Sequence, residues 1–284
     1  MSVTGQAQIA GVMGWPVAHS RSPLLHGYWL ERYGIDGAYV PLPVRPEHLE
    51  SALRALPLLG FAGVNLTTPH KEAALDVLDE TDALARRLGA VNTVTVLADG
   101  RLAGTNTDGF GFMENLREGA PGWKAESGPT VVLGAGGAAR AVVAALRDQG
   151  AEVRLVNRTE ARAAALVEAL GGAIEAYPWK ARQAALAGAR LLVNATTLGM
   201  EGGTPLDLDL GPLPKEAVVT DLVYAPLETA LLKAAKARGN PTVDGLGMLL
   251  HQARPGFRAW FGQGGIDPEV TPELRAHVGG GGGG

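Results

Sequence analysis

The sequence predicts an α/β chain in two parts: a mixed α/β N-terminal domain and a Rossmann-like doubly wound domain. Three observations carry this. Short apolar runs alternate with helical patterns almost from the start. From residue 130 the alternation becomes a regular β-α-β series, the pattern of a parallel sheet covered on both faces. At 130–140 an apolar strand passes through Gly134-Ala135-Gly136-Gly137-Ala138-Ala139 into a helical pattern, a G-x-G-x-x-A turn. The expected division is 1–107, completed by 244–278, and 108–243, with 279–284 a flexible glycine tail.

In chain order, 9–13 reads as a strand, 23–33 as a helix opened by Ser22, 38–42 as a strand and 46–56 as a helix. The stretch 63–71 reads as a strand running straight into a helix. Val64 and Leu66 point to one face, Asn65 and Thr67 to the other. Thr68 is expected at the N-cap and Pro69 at the first helical position, which puts Lys71 in the first turn. Taken alone, this is a capped helix with a surface lysine. A helix follows at 82–88. Strands at 93–98 and 102–105 flank Asp99-Gly100, a two-residue hairpin signal.

Residues 109–118 are helical, and 119–128 form a connection rich in glycine and charge. Then come strand 130–133, helix 136–149, strand 152–156, helix 160–170, strands 191–194 and 218–222, and helix 227–238. In the last long helical pattern, 244–261, Leu246, Leu249, Leu250 and Ala253 share a face, and Pro255 is expected to break or kink it. Coming after a complete doubly wound unit, this helix is expected to pack back on the first domain.

Composition narrows the function. Hydrophobic residues make up 46% and charged residues 19% of 284, ordinary for a globular chain with a substantial core. A net charge of −4 argues against a general nucleic-acid or acidic-membrane surface. With no cysteine, disulfides and thiolate metal sites are excluded. No basic region followed by an apolar run opens the chain, and no run approaches a membrane span. The expectation is a cytoplasmic protein acting on small molecules. The six histidines show no metal-ligand spacing, so no metal is expected and they are read as surface or supporting residues.

The glycine turn has a specific use. Gly134 permits a tight turn, Gly136 lets the backbone approach a pyrophosphate, Ala139 allows close helix packing, and the helix N-terminus attracts the negative charge. An NAD site places an acid at the end of the next strand to hold the ribose 2′-hydroxyl. Here that strand leads into Asn157-Arg158-Thr159, with Arg162 one turn on. An acid would repel a 2′-phosphate, whereas two guanidinium groups and a hydroxyl bind it, so NADP(H) is expected over NAD(H). The structural alternative is a solvated face with Thr159 as an N-cap.

Taken together, the segments 20–23, 65–71, 89–93, 106–109, 134–140, 157–159, 194–200 and 244–248 with Gln252 occur in one family's order. The chain resembles shikimate dehydrogenase over almost its whole length. The resemblance implies reversible NADP-linked reduction of 3-dehydroshikimate to shikimate, a step toward aromatic amino acids, in a substrate domain joined to an NADP-binding domain. It implies that Ser20 and Ser22 hold the substrate carboxylate, and that Asn65, Thr67, Asn92 and Gln252 hold ring hydroxyls, with Tyr224 on the substrate side. It implies Lys71 and Asp108 as the catalytic pair. NADP(H) would be held by the 134–140 loop with Asn157, Arg158, Thr159, Arg162 and Leu222, and Gly245 would lie near the nicotinamide.

Residue chemistry supports some of these roles. Ser20 and Ser22 can face the same side of an extended segment next to a helix start at Pro23, which suits a carboxylate, although Ser22 alone could be an N-cap. If Pro69 begins a helix, the positive dipole end eases proton loss from Lys71. Leu66, Thr68 and Thr197 depart mildly from the family pattern. A dual quinate/shikimate enzyme and an aminoshikimate enzyme are alternatives, as is a non-catalytic NADP-binding sensor, which predicts loss of the Lys71 and Asp108 pair. Oligomeric state is left open, a homodimer included.

Overall fold

The computed structural model describes residues 3–262 and 265–280. The chain divides into two compact units, Met1–Thr107 with Gln252–Gly284, and Asp108–His251. Of the expected glycine tail, Gly279 closes a helix instead, and 281–284 lie outside the described residues. No helix among the described residues is long and apolar enough to cross a membrane.

The first unit is built on β1 (Gln8–Gly14), β2 (Gly37–Pro43) and β3 (Phe61–Leu66), all parallel. The two-residue β4 (Glu80–Thr81) lies at one edge, and β5 (Thr93–Val96) and β6 (Leu102–Thr105) form an antiparallel hairpin. The sheet order is β2-β1-β3-β5-β6-β4. Helices α1 (Ser22–Arg32), α2 (Leu49–Ala55), α3 (His70–Ala73) and α4 (Ala83–Leu88) connect the strands. The alternation in β3 decides the faces. Val64 and Leu66 enter a core with Leu49, Leu53, Val91 and Val94, and this leaves Asn65 for the other side.

The second unit opens with α5 (Asp108–Gly119), followed by β7 (Thr130–Leu133), α6 (Gly137–Asp148), β8 (Val153–Asn157), α7 (Glu160–Leu170) and β9 (Ile174–Pro178). Its other half holds β10 (Leu191–Asn194), β11 (Val218–Asp221), α8 (Ala230–Ala237) and β12 (Thr242–Val243). All six strands are parallel, in the order β12-β11-β10-β7-β8-β9. That is the doubly wound Rossmann order, in which the order of the strands reverses between β7 and β10. Central strands β7, β10 and β11 are buried at every residue, as a sheet covered on both faces requires.

Helix α9 (Leu246–Phe261) carries the chain back, and from Gln252 onward it belongs to the first unit. There Phe257, Trp260 and Phe261 pack with Trp29, Tyr39 and His26 in one aromatic cluster. The Trp260 indole N–H donates to the Val94 carbonyl at 3.1 Å. A final helix, α10 (Pro272–Gly279), buries Leu274 and Val278 and packs on α1.

Several elements differ from expectation. Helix α9 runs through Pro255 unbroken; one lost ladder hydrogen bond is outweighed by burial of Ala253, Phe257, Trp260 and Phe261. The hairpin loop is longer than Asp99-Gly100. Gly100 N donates to Leu97 O and Leu97 N to Arg101 O, with Gly100 at φ +84°, a turn closed by a glycine bulge. Strands β4, β9 and β12 and helix α10 carry too few periodic residues to be read from sequence. Three histidines are buried rather than peripheral: His26, His70 and His251.

Two of these features yield predictions. A Cβ on Gly63 would overlap the Trp260 indole nitrogen and the Val94 carbonyl. Gly63→Ala should therefore displace Trp260 and destabilise the protein by about 2 kcal/mol or more, read from urea denaturation; unchanged stability would show that the close contact is dispensable. His26 is fully buried, stacked on Tyr39 at 3.9 Å, and neither ring nitrogen has a partner among the described residues. Burial lowers its pKa from 6.5 to about 3. The unfolded chain thus gains a proton below about pH 6.5 that the folded chain refuses until about pH 3. The associated stability is complete above pH 6.5 and lost as pH falls toward 3, at about 1.4 kcal/mol per pH unit. In His26→Phe this dependence should disappear from urea midpoints measured between pH 7 and 4.

Candidate functional site

The residues singled out from sequence fall on both units, and each set has its own local architecture. In the first unit, Asn65 on β3 is 6% exposed and fully engaged. It accepts from the Tyr39 hydroxyl at 2.7 Å, and its amide donates to Asn92 O at 3.1 Å and Thr93 Oγ1 at 3.2 Å. The Asn92 amide donates to Thr107 Oγ1 at 3.0 Å and to Gln252 Oε1 at 3.2 Å, and its Oδ1 accepts from Thr107 N at 2.9 Å. The Thr107 hydroxyl donates to Gln252 O at 2.8 Å. Asn65, Asn92 and Gln252 are thereby joined in one network of neutral donors and acceptors, suited to a ligand bearing several hydroxyls.

The serines join it through Tyr39. Ser22 is buried and its hydroxyl hydrogen-bonds the Tyr39 phenol, whose pKa is raised by burial and only partly offset by that bond. Ser22 N donates to Ser20 Oγ at 3.3 Å. The segment is not extended as expected. Arg21 is α-helical (φ −86°, ψ −2°) and occupies the N-cap, so α1 begins at Ser22 and Ser22 is its first residue, not its cap. What links the two serines is a turn in which the Ser20 side chain accepts from the Ser22 backbone.

Segment 67–71 also departs from expectation. The peptide Thr68–Pro69 is cis, and His70 N donates to Thr67 O at 2.9 Å, so 67–70 is a turn. Pro69 (φ −99°, ψ 14°) is the N-cap, no side chain caps the helix, and α3 starts at His70. The helix is a single turn, so Lys71 lies in its last turn as much as its first. The expected placement of Lys71 at the positive end of a helix therefore fails. Lys71 is half-buried and its carbonyl accepts from Val91 N at 2.8 Å; the His70 ring bonds Val44 O at 2.8 Å. Thr67 N donates to Met13 O at 2.9 Å, which fixes the turn to the end of β1.

In the second unit, the glycine turn has the form its sequence predicts. Gly134 adopts φ +109°, its N–H donates to Val156 O at 2.8 Å, and a Cβ there would stand 2.9 Å from Ala195 O. Added Cβ atoms at Gly136 and Gly137 would meet nothing within 4 Å. Gly136 caps α6 without a side-chain hydrogen bond, leaving the first amides of a twelve-residue helix for an anion. Ala135 is buried, Ala138 half-buried, and Ala139 fully buried. Past β8, Asn157 Nδ2 donates to Thr159 O at 2.8 Å; Thr159 occupies the α7 N-cap but makes no capping bond, and Arg158 and Arg162 are exposed.

Gly134, Ala135, Gly136, Asn157, Arg158 and Arg162 line one cavity of about 560 Å³. Trp179, Arg182, Thr196, Thr197, Leu198 and Asp207 also line it, with the Arg182 guanidinium 5.3 Å from the centre of the Trp179 ring and 3.5 Å from the Asp207 carboxylate. Asp108 is 5% exposed at the start of α5. Leu222 and Tyr224, both half-buried, follow β11. Gly245 is buried, and a Cβ there would overlap the Leu222 and Asp221 carbonyls, so only glycine allows this approach.

Sequence reasoning missed Tyr39, Trp179 and Arg182. Tyr39 lies 26 residues from Asn65, and only the β1–β3 pairing next to β2 brings them together. Trp179 follows β9; had that strand been read, its carboxyl end would have marked the position.

Two family models match the chain: the shikimate dehydrogenase substrate binding domain over residues 12–94, and shikimate/quinate 5-dehydrogenase over 122–199. A shikimate dehydrogenase (NADP(+)) from Paramagnetospirillum magneticum is 61% identical over 277 residues, covering 97% of this chain and 99% of that protein. Among solved structures, shikimate 5-dehydrogenase from Thermus thermophilus, in complex with NADP(H) and shikimate, superposes with a TM-score of 0.84. It is 43% identical and covers 96% of this chain and 98% of that one. Quinate dehydrogenase from Corynebacterium glutamicum, in complex with NAD, gives a TM-score of 0.87 at 34% identity, covering 95% and 98%. With such identity along nearly its full length, the chain belongs to the shikimate dehydrogenase family.

Proposed function

We propose that this protein catalyses the reversible NADP-dependent interconversion of 3-dehydroshikimate and shikimate, as a cytoplasmic enzyme of aromatic amino acid biosynthesis. The observation that carries the cofactor choice is the β8 end. Two arginines line the cavity beside the glycine turn, where an NAD site would carry an acid. The uncapped α6 N-terminus and the open space at Gly136 and Gly137 suit the pyrophosphate, and Arg158, Arg162 and Thr159 suit the 2′-phosphate. Leu222 and Gly245 would then lie toward the nicotinamide.

Bound NADPH supplies the hydride. The chain's residues hold the acceptor and manage the proton. Ser20 and Ser22 receive the carboxylate. Asn65, Thr67, Asn92 and Gln252 receive the ring hydroxyls, and Tyr224 contributes from the substrate side. Reduction of a carbonyl leaves an alkoxide, and a positioned amine that donates a proton there lowers the barrier. Lys71 takes that role, with Asp108 as its carboxylate partner; in the reverse direction Lys71 accepts the proton.

Loss of NADPH absorbance on adding 3-dehydroshikimate tests the reading; no turnover at high enzyme concentration would overturn it. The same assay with quinate and with NAD(H) decides between a shikimate-restricted and a dual enzyme. Lys71→Ala should lower kcat/KM by about 10²–10⁴-fold while NADPH affinity stays within about twofold; near-normal turnover would remove Lys71 from the chemistry. Arg158→Ala should raise the KM for NADPH about 10–100-fold and leave that for NADH nearly unchanged, because only the 2′-phosphate loses a charge-assisted partner. Equal losses with both cofactors would count against the assignment.

A further inference from the structure

Asp221, the last residue of β11, is wholly buried, and every partner it bonds is neutral. Its Oδ1 accepts from Asn194 Nδ2 at 2.9 Å and Val223 N at 3.0 Å, and its Oδ2 from Thr229 Oγ1 at 2.7 Å. Burial raises its pKa, and the three donors only partly offset this. Burying a carboxyl group without a cation costs stability, and the sheet does not need it: Val193, Val219 and Leu192 on the same two strands already fill the core.

What the carboxyl group does is local and directional. Asn194 is its register neighbour at the end of β10. Asn194 Oδ1 accepts from Thr196 N at 3.1 Å and Thr196 Oγ1 at 2.7 Å, and Asn194 Nδ2 also donates to Leu198 O at 3.0 Å. One end of the network thus fixes segment 195–198, which lines the cofactor cavity. The other fixes 222–224 through Val223 N, and the Leu222 carbonyl is the atom that a side chain at Gly245 would strike. In a sheet of this order the dinucleotide lies across the β7/β10 switch point. The arginines beyond β8 take the 2′-phosphate end, so the ends of β10 and β11 take the nicotinamide end.

We propose that Asp221 is a positioning residue that clamps the two backbone segments against which the nicotinamide half of the cofactor rests. This rests on the NADP reading above. The clamp sets where the hydride donor sits through segment 222–224, and segment 195–198 joins that end to the cavity that Arg158 and Arg162 line.

The test is binding of NADPH, followed by fluorescence, against binding of 2′,5′-ADP, which carries the 2′-phosphate but no nicotinamide. Asp221→Asn places an amide donor against one of three existing donors, and Thr229→Val removes one donor, together with the cap that Thr229 Oγ1 gives Leu232 N, and keeps the side-chain shape. Both variants should weaken NADPH at least fivefold, leave 2′,5′-ADP within twofold, and lower kcat together with a raised KM for NADPH. Equal weakening of both ligands would mean a structural role only and would overturn the proposal. So would unchanged NADPH binding and turnover in Thr229→Val, which decides the matter if Asp221→Asn does not fold. Wild-type protein that binds neither ligand would instead overturn the NADP reading itself.

Discussion

The first unit depends on the docking of Trp260. Its indole fills the space that Gly63 leaves open and donates to the carbonyl of Val94 on the neighbouring strand. The donor is thereby satisfied inside the core, and the end of α9 is fixed in rotation as well as position. Around it, Trp29, Tyr39, Phe257 and Phe261 bury their rings, with His26 stacked on Tyr39. This fixed end gives Gln252 its place beside Asn92, a residue 160 positions earlier in the chain. The network Ser22–Tyr39–Asn65–Asn92–Gln252 therefore depends on aromatic packing that it shares through Tyr39.

The second unit solves a different problem. Parallel strands bring loops to one end of the sheet, and there the chain must approach a ligand closely without burying unpaired groups. Gly134 supplies the turn, and the β8–α7 turn is braced by Asn157. The β10 and β11 ends are braced by side chains of their own final residues, Asn194 and Asp221. Backbone amides and guanidinium groups are left to face the cavity, while the bracing groups are buried behind it.

Much of this was legible in the sequence. The spans of β7, α7 and β10 follow directly from apolar runs bounded by glycine and polar residues, and the glycine turn fixed the unit's character. Legibility failed where a local signal had two physical meanings. Thr68-Pro69 carries the marks of a capped helix, yet the same residues form a turn and the helix starts one residue later. Ser22 before Pro23 reads as a cap, yet it is the first helical residue. Pro255 reads as a break, but tertiary packing overrides it. Edge strands fail for want of pattern: β9 exposes Glu175 and Ala176 and buries only Ile174. Tyr39 illustrates the remaining limit, because its importance lies in partners that no local window contains.

The second unit is an insertion within the first, entered at Asp108 and left at Gln252. A ribosome delivers the chain in one direction, so every strand of the Rossmann sheet has emerged before Trp260 exists. During that interval the first unit holds His26, Trp29 and Tyr39 but not the helix that covers them, and Gly63 faces an unfilled slot. All the chain of the nucleotide-binding unit is thus delivered while the unit carrying Lys71 still lacks the segment that completes it.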